Sequence, residues 1–172
     1  ISHGHMVNHA RYRFLARHFI EKGYMVASIQ HEIEGDGELP VLCKRQDNWQ
    51  QGVESINYVK DQLAKTYSQV KADKVILIGH SNGGDMSICF GHKYPEKVSH
   101  IITLDSLRAT MRENAPYKVM TLRATDTYAD PTLLPHKDVK IVQVHGEHNE
   151  LYDKGSDNLK AEILEHIQFF LG

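Results

Sequence analysis

Hydrophobic and polar positions along the chain alternate between two periods. Tyr12, Leu15, Ala16, Phe19 and Ile20 recur at i, i+3, i+4, i+7 and i+8. That stripe predicts an amphipathic helix from Asn8 or His9 to Lys22, with Gly23 as its stop. Tyr24 to Ile29, rich in aromatic and branched residues, predicts a strand. A polar, turn-prone stretch follows from Gln30 to Gln46, with Gly35-Asp36-Gly37 and Pro40. Seventeen residues is long for an idle connection, so this loop is either a border of a functional site or a solvated surface loop. A second helix is predicted from about Asp47 to Thr66, burying Trp49, Val53, Ile56, Val59 or the stem of Lys60, and Leu63.

The second half repeats the theme. Val75 to Ile78 is a short, wholly apolar run bounded by glycine, as a buried strand would be. A helix is predicted from Asp85 to Tyr94, where Pro95 ends it. Val98 to Leu104, Tyr117 to Leu122 and Lys140 to Val144 read as further strands, and Ser156 to Leu171 as the closing helix. Asp105 to Ala115 and Ala124 to Lys137 read as connections. At the start, Ile1-Ser2 looks like the tail of a buried strand and His3-Gly4 like the turn leaving it. Strands alternating with helices predict an α/β chain with a mostly parallel sheet covered on both faces. The whole chain, 1–172, reads as one domain.

Composition narrows the function classes. The 172 residues carry a net charge of −2, so nothing predicts binding to nucleic acid or to an anionic membrane. No apolar run approaches the roughly 20 residues needed to span a bilayer. Cys43 and Cys89 do not make a disulfide framework, and Cys89 reads as a small core residue. Compartment and oligomeric state stay open. Twelve histidines raise the question of metal, with His3, His5 and His9 close together and His145 and His148 three apart. Gly35 stands where a helical zinc motif starting at His31-Glu32 would need its second histidine, and no Cys-x-x-Cys occurs. No metal or organic cofactor is expected. Neither the Rossmann glycine pattern nor a phosphate-loop lysine is present.

The candidate chemistry lies in Gly79-His80-Ser81-Asn82-Gly83-Gly84. Gly-x-Ser-x-Gly between a buried strand and a helix is the context of a nucleophile elbow, a sharp turn that lifts the serine above the sheet. Gly79 and Gly83 fit where side chains would collide as strand and helix cross. With glycine near ~7% of residues, three matched positions arise by chance in only a few per cent of such chains. The backbone N–H of Asn82, at a helix start, is suited to hold a developing negative charge. A serine hydroxyl needs a base, and the base needs an orienting acid. His148 follows the last strand by four residues and Asp126 follows the strand before it, giving the order Ser, Asp, His. His145 is the rival base. Asp105, at the end of the preceding strand, and Asp130 are rival acids, Asp105 having a helix cap as its alternative role.

On these residues the chain resembles the α/β-hydrolases, from His3-Gly4 to the last helix. The resemblance implies that His3-Gly4 is the turn supplying the second oxyanion amide, the N–H of His5, beside that of Asn82. It makes His148, in Gly146-x-His148, the base, and places Asp126 or Asp105 as the acid. It also puts two further strands, and most of a third, ahead of Ile1. The expected activity is a serine hydrolase that cleaves a small carboxylic ester through an acyl-enzyme on Ser81, without a cofactor. The connection from Asp105 to Pro116 is too short for a cap domain. A thioesterase, acyltransferase or peptidase would use the same residues. A non-catalytic binding module on this fold is the other alternative.

Overall fold

A computed structural model describes residues 1–32, 45–128, 131–133 and 137–172. The Gly35-Asp36-Gly37 loop, Cys43 and Asp130 lie outside the described residues. Among those described, the helices are α1 (Arg13–Glu21), α2 (Gln46–Thr66), α3 (Asn82–Lys93) and α4 (Asp157–Leu171). The strands are β1 (Val75–His80), β2 (Val98–Leu104), β3 (Lys118–Arg123) and β4 (Val139–Gln143). They form a parallel sheet in the order β1-β2-β3-β4. Ser2 extends it on the β1 side, bridging in parallel to both Gly79 and Ile29.

Side chains two apart along a strand face the same way, and the sheet sorts its apolar residues accordingly. Ile78, Ile102, Met120 and Leu122 join Leu15 and Phe19 of α1 and Leu159, Ile163 and Ile167 of α4 in one buried cluster. Their neighbours Leu77, Ile101 and Val119 join Val53 and Ile56 of α2 and Met86, Ile88 and Phe90 of α3 in the other. Both faces are therefore covered, which is why the strands read as continuous apolar runs rather than alternating ones.

Three local departures have clear causes. The first predicted helix is broken at Tyr12, where a 3₁₀ turn at His9–Arg11, capped by the Asn8 side chain, precedes α1. The break turns the Tyr12 ring inward, to 1% exposure, while Ile20 at the other end of the stripe is left exposed. The stretch from Tyr24 to Ile29 forms no ladder. Its neighbour is the short Ile1–Ser2 stub, and only Ile29 is bridged. Helix α3 begins at Asn82, three residues earlier than its pattern predicts, because the elbow passes from strand to helix in a single residue.

The parallel sheet directs all its strand ends, and hence Ser81, Asp105 and Ala124, to one edge. An apolar groove of about 860 Å³ lined by Phe19, Tyr24, Val75 and Leu171 opens at the other end of the sheet and is not the site. Ile102, fully buried between β1 and β3, tests the packing of this frame. Ile102→Ala is expected to cost about 2–5 kcal/mol of stability. Urea unfolding followed by circular dichroism measures it, and a loss below about 1 kcal/mol would contradict the close-packed core described above.

Candidate active site

Ser81 occupies the one-residue turn between β1 and α3 with φ 50 and ψ −120. A non-glycine residue there is strained, at a cost of order 1–3 kcal/mol, and the surroundings must over-determine it. They do. A Cβ on Gly79 would stand 2.3 Å from the Gly83 carbonyl oxygen, and a Cβ on Gly83 would stand 2.3 Å from that of Ser2. Strand, helix and the Ile1–Ser2 stub thus meet backbone to backbone, and the chain between them has no room to relax.

The Ser81 hydroxyl lies 3.0 Å from Nε2 of His148. Nδ1 of the same ring lies 2.5 Å from Oδ2 of Asp105. A carboxylate only accepts, so Nδ1 carries a proton, and Nε2 of the base form accepts from Ser81. This corrects the expected acid. Asp126 does not reach the imidazole; its Oδ1 accepts the backbone N–H of His148 at 2.6 Å. The reason is the strand order. β2 is the direct neighbour of β1, so the residue after Leu104 emerges beside the elbow, whereas Asp126 emerges one strand further away. Asp105 also takes a left-handed backbone, φ 56, which makes the turn out of β2 abrupt. His145, the rival base, is exposed and pairs with Glu162 of α4.

Asp105 is fully buried and receives four partners. Oδ2 accepts from His148 and from the Thr127 hydroxyl at 2.6 Å; Oδ1 accepts from the Ala124 N–H at 3.2 Å. The fourth partner is the Arg123 guanidinium, with Nη2 3.0 Å from Oδ1. That nitrogen forms no directed hydrogen bond, so its effect on Asp105 is Coulombic, while Nη1 donates to the Ser106 carbonyl at 2.5 Å. Burial alone would raise the Asp105 carboxyl. The hydrogen bonds from His148 and Thr127, the Arg123 charge and the Ala124 amide outweigh it and hold the group below the usual carboxylate value. Arg123 and Thr127 were not singled out in the sequence; a charged residue closing the apolar run Val119–Leu122 was the available signal.

His80, directly before Ser81, is also buried. Burial, and then the neighbouring His148, lower its pKa from 6.5 to about 3. Asn82 receives the Trp49 indole N–H at 2.9 Å and donates to Asn48 at 2.8 Å, fastening the start of α2 to the elbow. Asp85, one turn into α3, accepts from Ser106 and from the amides of Arg108 and Ala109, which fixes the loop after Asp105. The backbone N–H groups of His5 and Asn82 have no acceptor among the described residues. For Asn82 this follows from its place as the first residue of α3.

Two of the clustered N-terminal histidines have ring partners. The ring of His3 is bonded to Gly4, Gln30 and His31, and that of His5 to Glu32. Among the described residues no three His, Cys, Asp or Glu side chains converge as a metal would need.

Folded His80 takes up a proton only near pH 3, whereas an unfolded histidine does so near 6.5. Between these values the unfolded state binds more protons, so stability falls as pH drops through that window. Asp105, with its folded pKa lowered, adds a loss of the same sign below about pH 3.8. His80 is expected to contribute about 1.4 kcal/mol per pH unit between pH 6 and 4. Urea midpoints across that range should show a shallower slope in His80→Gln, and an identical slope would refute the assignment.

A family model described as serine aminopeptidase, S33, matches residues 1–162. A search of curated proteins returned no match. Among solved structures, a carboxylesterase from Mesorhizobium loti superposes with a TM-score of 0.67 at 16% identity, over 97% of this chain and 86% of that one. A carboxylesterase from Bacillus cereus gives 0.58 at 14% identity, over 98% and 84%. The NocB thioesterase domain, solved as a covalent complex with a fluorophosphonate nocardicin G analog, gives 0.62 at 17% identity, over 99% and 92%.

Proposed function

The chain belongs to the serine aminopeptidase S33 family of α/β-hydrolases, and on that premise we propose that it hydrolyses a carboxylic ester through an acyl-enzyme on Ser81. The observation that carries this reading is the line Ser81–His148–Asp105, anchored on a serine held at a positive φ. Oγ of Ser81 attacks the ester carbonyl carbon as Nε2 of His148 takes the hydroxyl proton. The carbonyl oxygen becomes an oxyanion facing the N–H groups of His5 and Asn82, which have no acceptor among the described residues. Collapse breaks the C–O bond, and His148 returns its proton to the departing alkoxide. A water, deprotonated by His148 in turn, then attacks the acyl carbon and releases the acid and Ser81.

Asp105 is the triad acid in this scheme: it fixes Nδ1 as the protonated nitrogen and stabilises the imidazolium of each transition state. Asp126 acts through the backbone, holding the N–H of His148 so that the ring faces Ser81. The carboxylesterase neighbours favour an ester, and the thioesterase neighbour keeps a thioester in view on the same residues.

Hydrolysis of short p-nitrophenyl esters, with the matching thioesters and aminoacyl anilides run in parallel, tests the reading. Ser81→Ala and His148→Ala are expected to lose activity by about 10⁴-fold or more. Asp105→Asn is expected to lose about 10⁴-fold in kcat, and Asp126→Ala only about tenfold to a hundredfold. The reverse order of the two aspartates would return the acid to Asp126. A folded chain that neither turns over any of these substrates nor is labelled at Ser81 by a fluorophosphonate is a binding module instead.

A further inference from the structure

Resting on the serine-hydrolase reading, we propose that Tyr12 and His80 are positioning residues that lock the oxyanion turn and the His148 loop together through one continuous chain of hydrogen bonds. Each bond has only one consistent direction. Nε2 of His80 lies 3.0 Å from the carbonyl oxygen of His148, which can only accept, so Nε2 carries the proton. The buried ring is neutral, its pKa lowered to about 3, so Nδ1 is bare and accepts. It lies 2.8 Å from the hydroxyl of Tyr12, which therefore donates to it. Burial pushes the Tyr12 phenol well above its ordinary value, so that proton stays in place. The Tyr12 oxygen has lone pairs left, and it accepts the backbone N–H of Gly4 at 3.0 Å. The chain runs Gly4 N–H to Tyr12, Tyr12 O–H to His80, His80 N–H to His148 C=O.

Its two ends are the two places where catalytic geometry has to be set. At one end, the carbonyl of Gly4 is held by Nδ1–H of His3 at 2.7 Å and by the Val7 N–H at 3.0 Å. In a trans peptide the C=O and the next N–H point in opposite directions. Fixing the Gly4 carbonyl therefore aims the His5 N–H the other way, and the Tyr12 bond to the Gly4 N–H fixes the preceding peptide plane. The contact is close enough to require glycine, since a Cβ on Gly4 would stand 2.8 Å from Nδ1 of His80. At the other end, His148 lies in a short 3₁₀ turn, His148–Glu150. Asp126 holds its N–H, His80 its C=O, and Asp105 and Ser81 its ring. The break at Tyr12 between the 3₁₀ turn and α1 gains its purpose here, because a continuous helix would carry this ring elsewhere.

The test is Tyr12→Phe, with His80→Leu and His80→Gln, assayed for ester turnover and for affinity toward phenylboronic acid, which mimics the tetrahedral intermediate. Tyr12→Phe is expected to lower kcat about tenfold to a hundredfold with KM within about twofold, and to weaken the boronic acid by the same factor as kcat. His80→Gln, which keeps an N–H toward His148, should recover part of what His80→Leu loses. A kcat within twofold of wild type, or a loss carried by KM, overturns the proposal.

Long-range ¹H–¹⁵N spectra of the unmodified chain test the bond directions without relying on activity or on any variant folding. The expected result is His80 as a neutral ring protonated at Nε2 throughout pH 5–8. A His80 that titrates near 6.5 in those spectra overturns the relay whatever the activity. If the relay is seen and no substrate is turned over, the ester reading fails, and the positioning role then stands only if Tyr12→Phe weakens phenylboronic acid binding.

Discussion

The close approach of three backbones at the elbow is the constraint on which the site depends. β1, α3 and the Ile1–Ser2 stub meet at Gly79 and Gly83, where any side chain would overlap carbonyl oxygens. Bonds from Ser2 N–H to Ile78 and from His80 N–H to Ser2 fix the stub against β1. Ser81 is left with a positive φ that local preferences oppose. Strain of this kind survives where the surrounding packing costs more to disturb than the turn itself. The same contact sets the proposed oxyanion turn, because the residues just after the stub are His3, Gly4 and His5. Ser81 and the turn are thus placed by one packing event rather than two.

The histidine has no such frame. It stands on a loop after β4, where the covalent chain alone would allow many orientations. Its placement is distributed over side chains drawn from different strands: His80 ends β1, Asp105 follows β2, and Asp126 follows β3. The parallel sheet brings these strand ends to one edge, so a loop residue can be gripped from several directions at once. Thr127 and Ala124 hold Asp105 in turn, and Asp85 holds the loop that follows it. The placement of His148 is therefore set by the sheet edge rather than by the loop alone.

How far the sequence discloses this can be argued residue by residue. The apolar runs from Val75, Val98, Tyr117 and Lys140 mark the four strands within a residue or two, because a doubly covered sheet leaves no polar face to blur them. The glycine spacing around Ser81 and the position of His148 are local features and were readable. Asp126 against Asp105 was not, since both follow strands and both precede His148 in the chain. Strand order decides between them, and strand order is a long-range property that no local pattern encodes. Tyr12 was hidden for a different reason. It fits the apolar stripe of a helix, and the acceptor for its hydroxyl proton is present only when residue 80 is brought beside it. Arg123 was visible as a charge at the end of an apolar strand, but its purpose depends on a carboxylate from another strand.

Arg123 also shows what the site costs the fold. A guanidinium and a carboxylate removed from water lose solvation that their attraction only partly returns, so the pair is poor evidence of stability. Apolar residues of similar volume would fill the space at least as well. What such a replacement would remove is the Coulombic contribution that, after the His148 and Thr127 hydrogen bonds, helps keep the Asp105 carboxylate ionised at 0% exposure. A neutral acid there could donate a proton instead of accepting one, and the Nδ1–H bond that orients His148 would lose its meaning. Arg123 Nη1 is itself tied to the Ser106 carbonyl, so the cation is fixed rather than adaptable. Under the proposed mechanism the charge pattern suits an imidazolium at His148, with a preorganised anion already compensated on its far side. The price is carried by the well-packed clusters on both faces of the sheet, which the arginine does not enter.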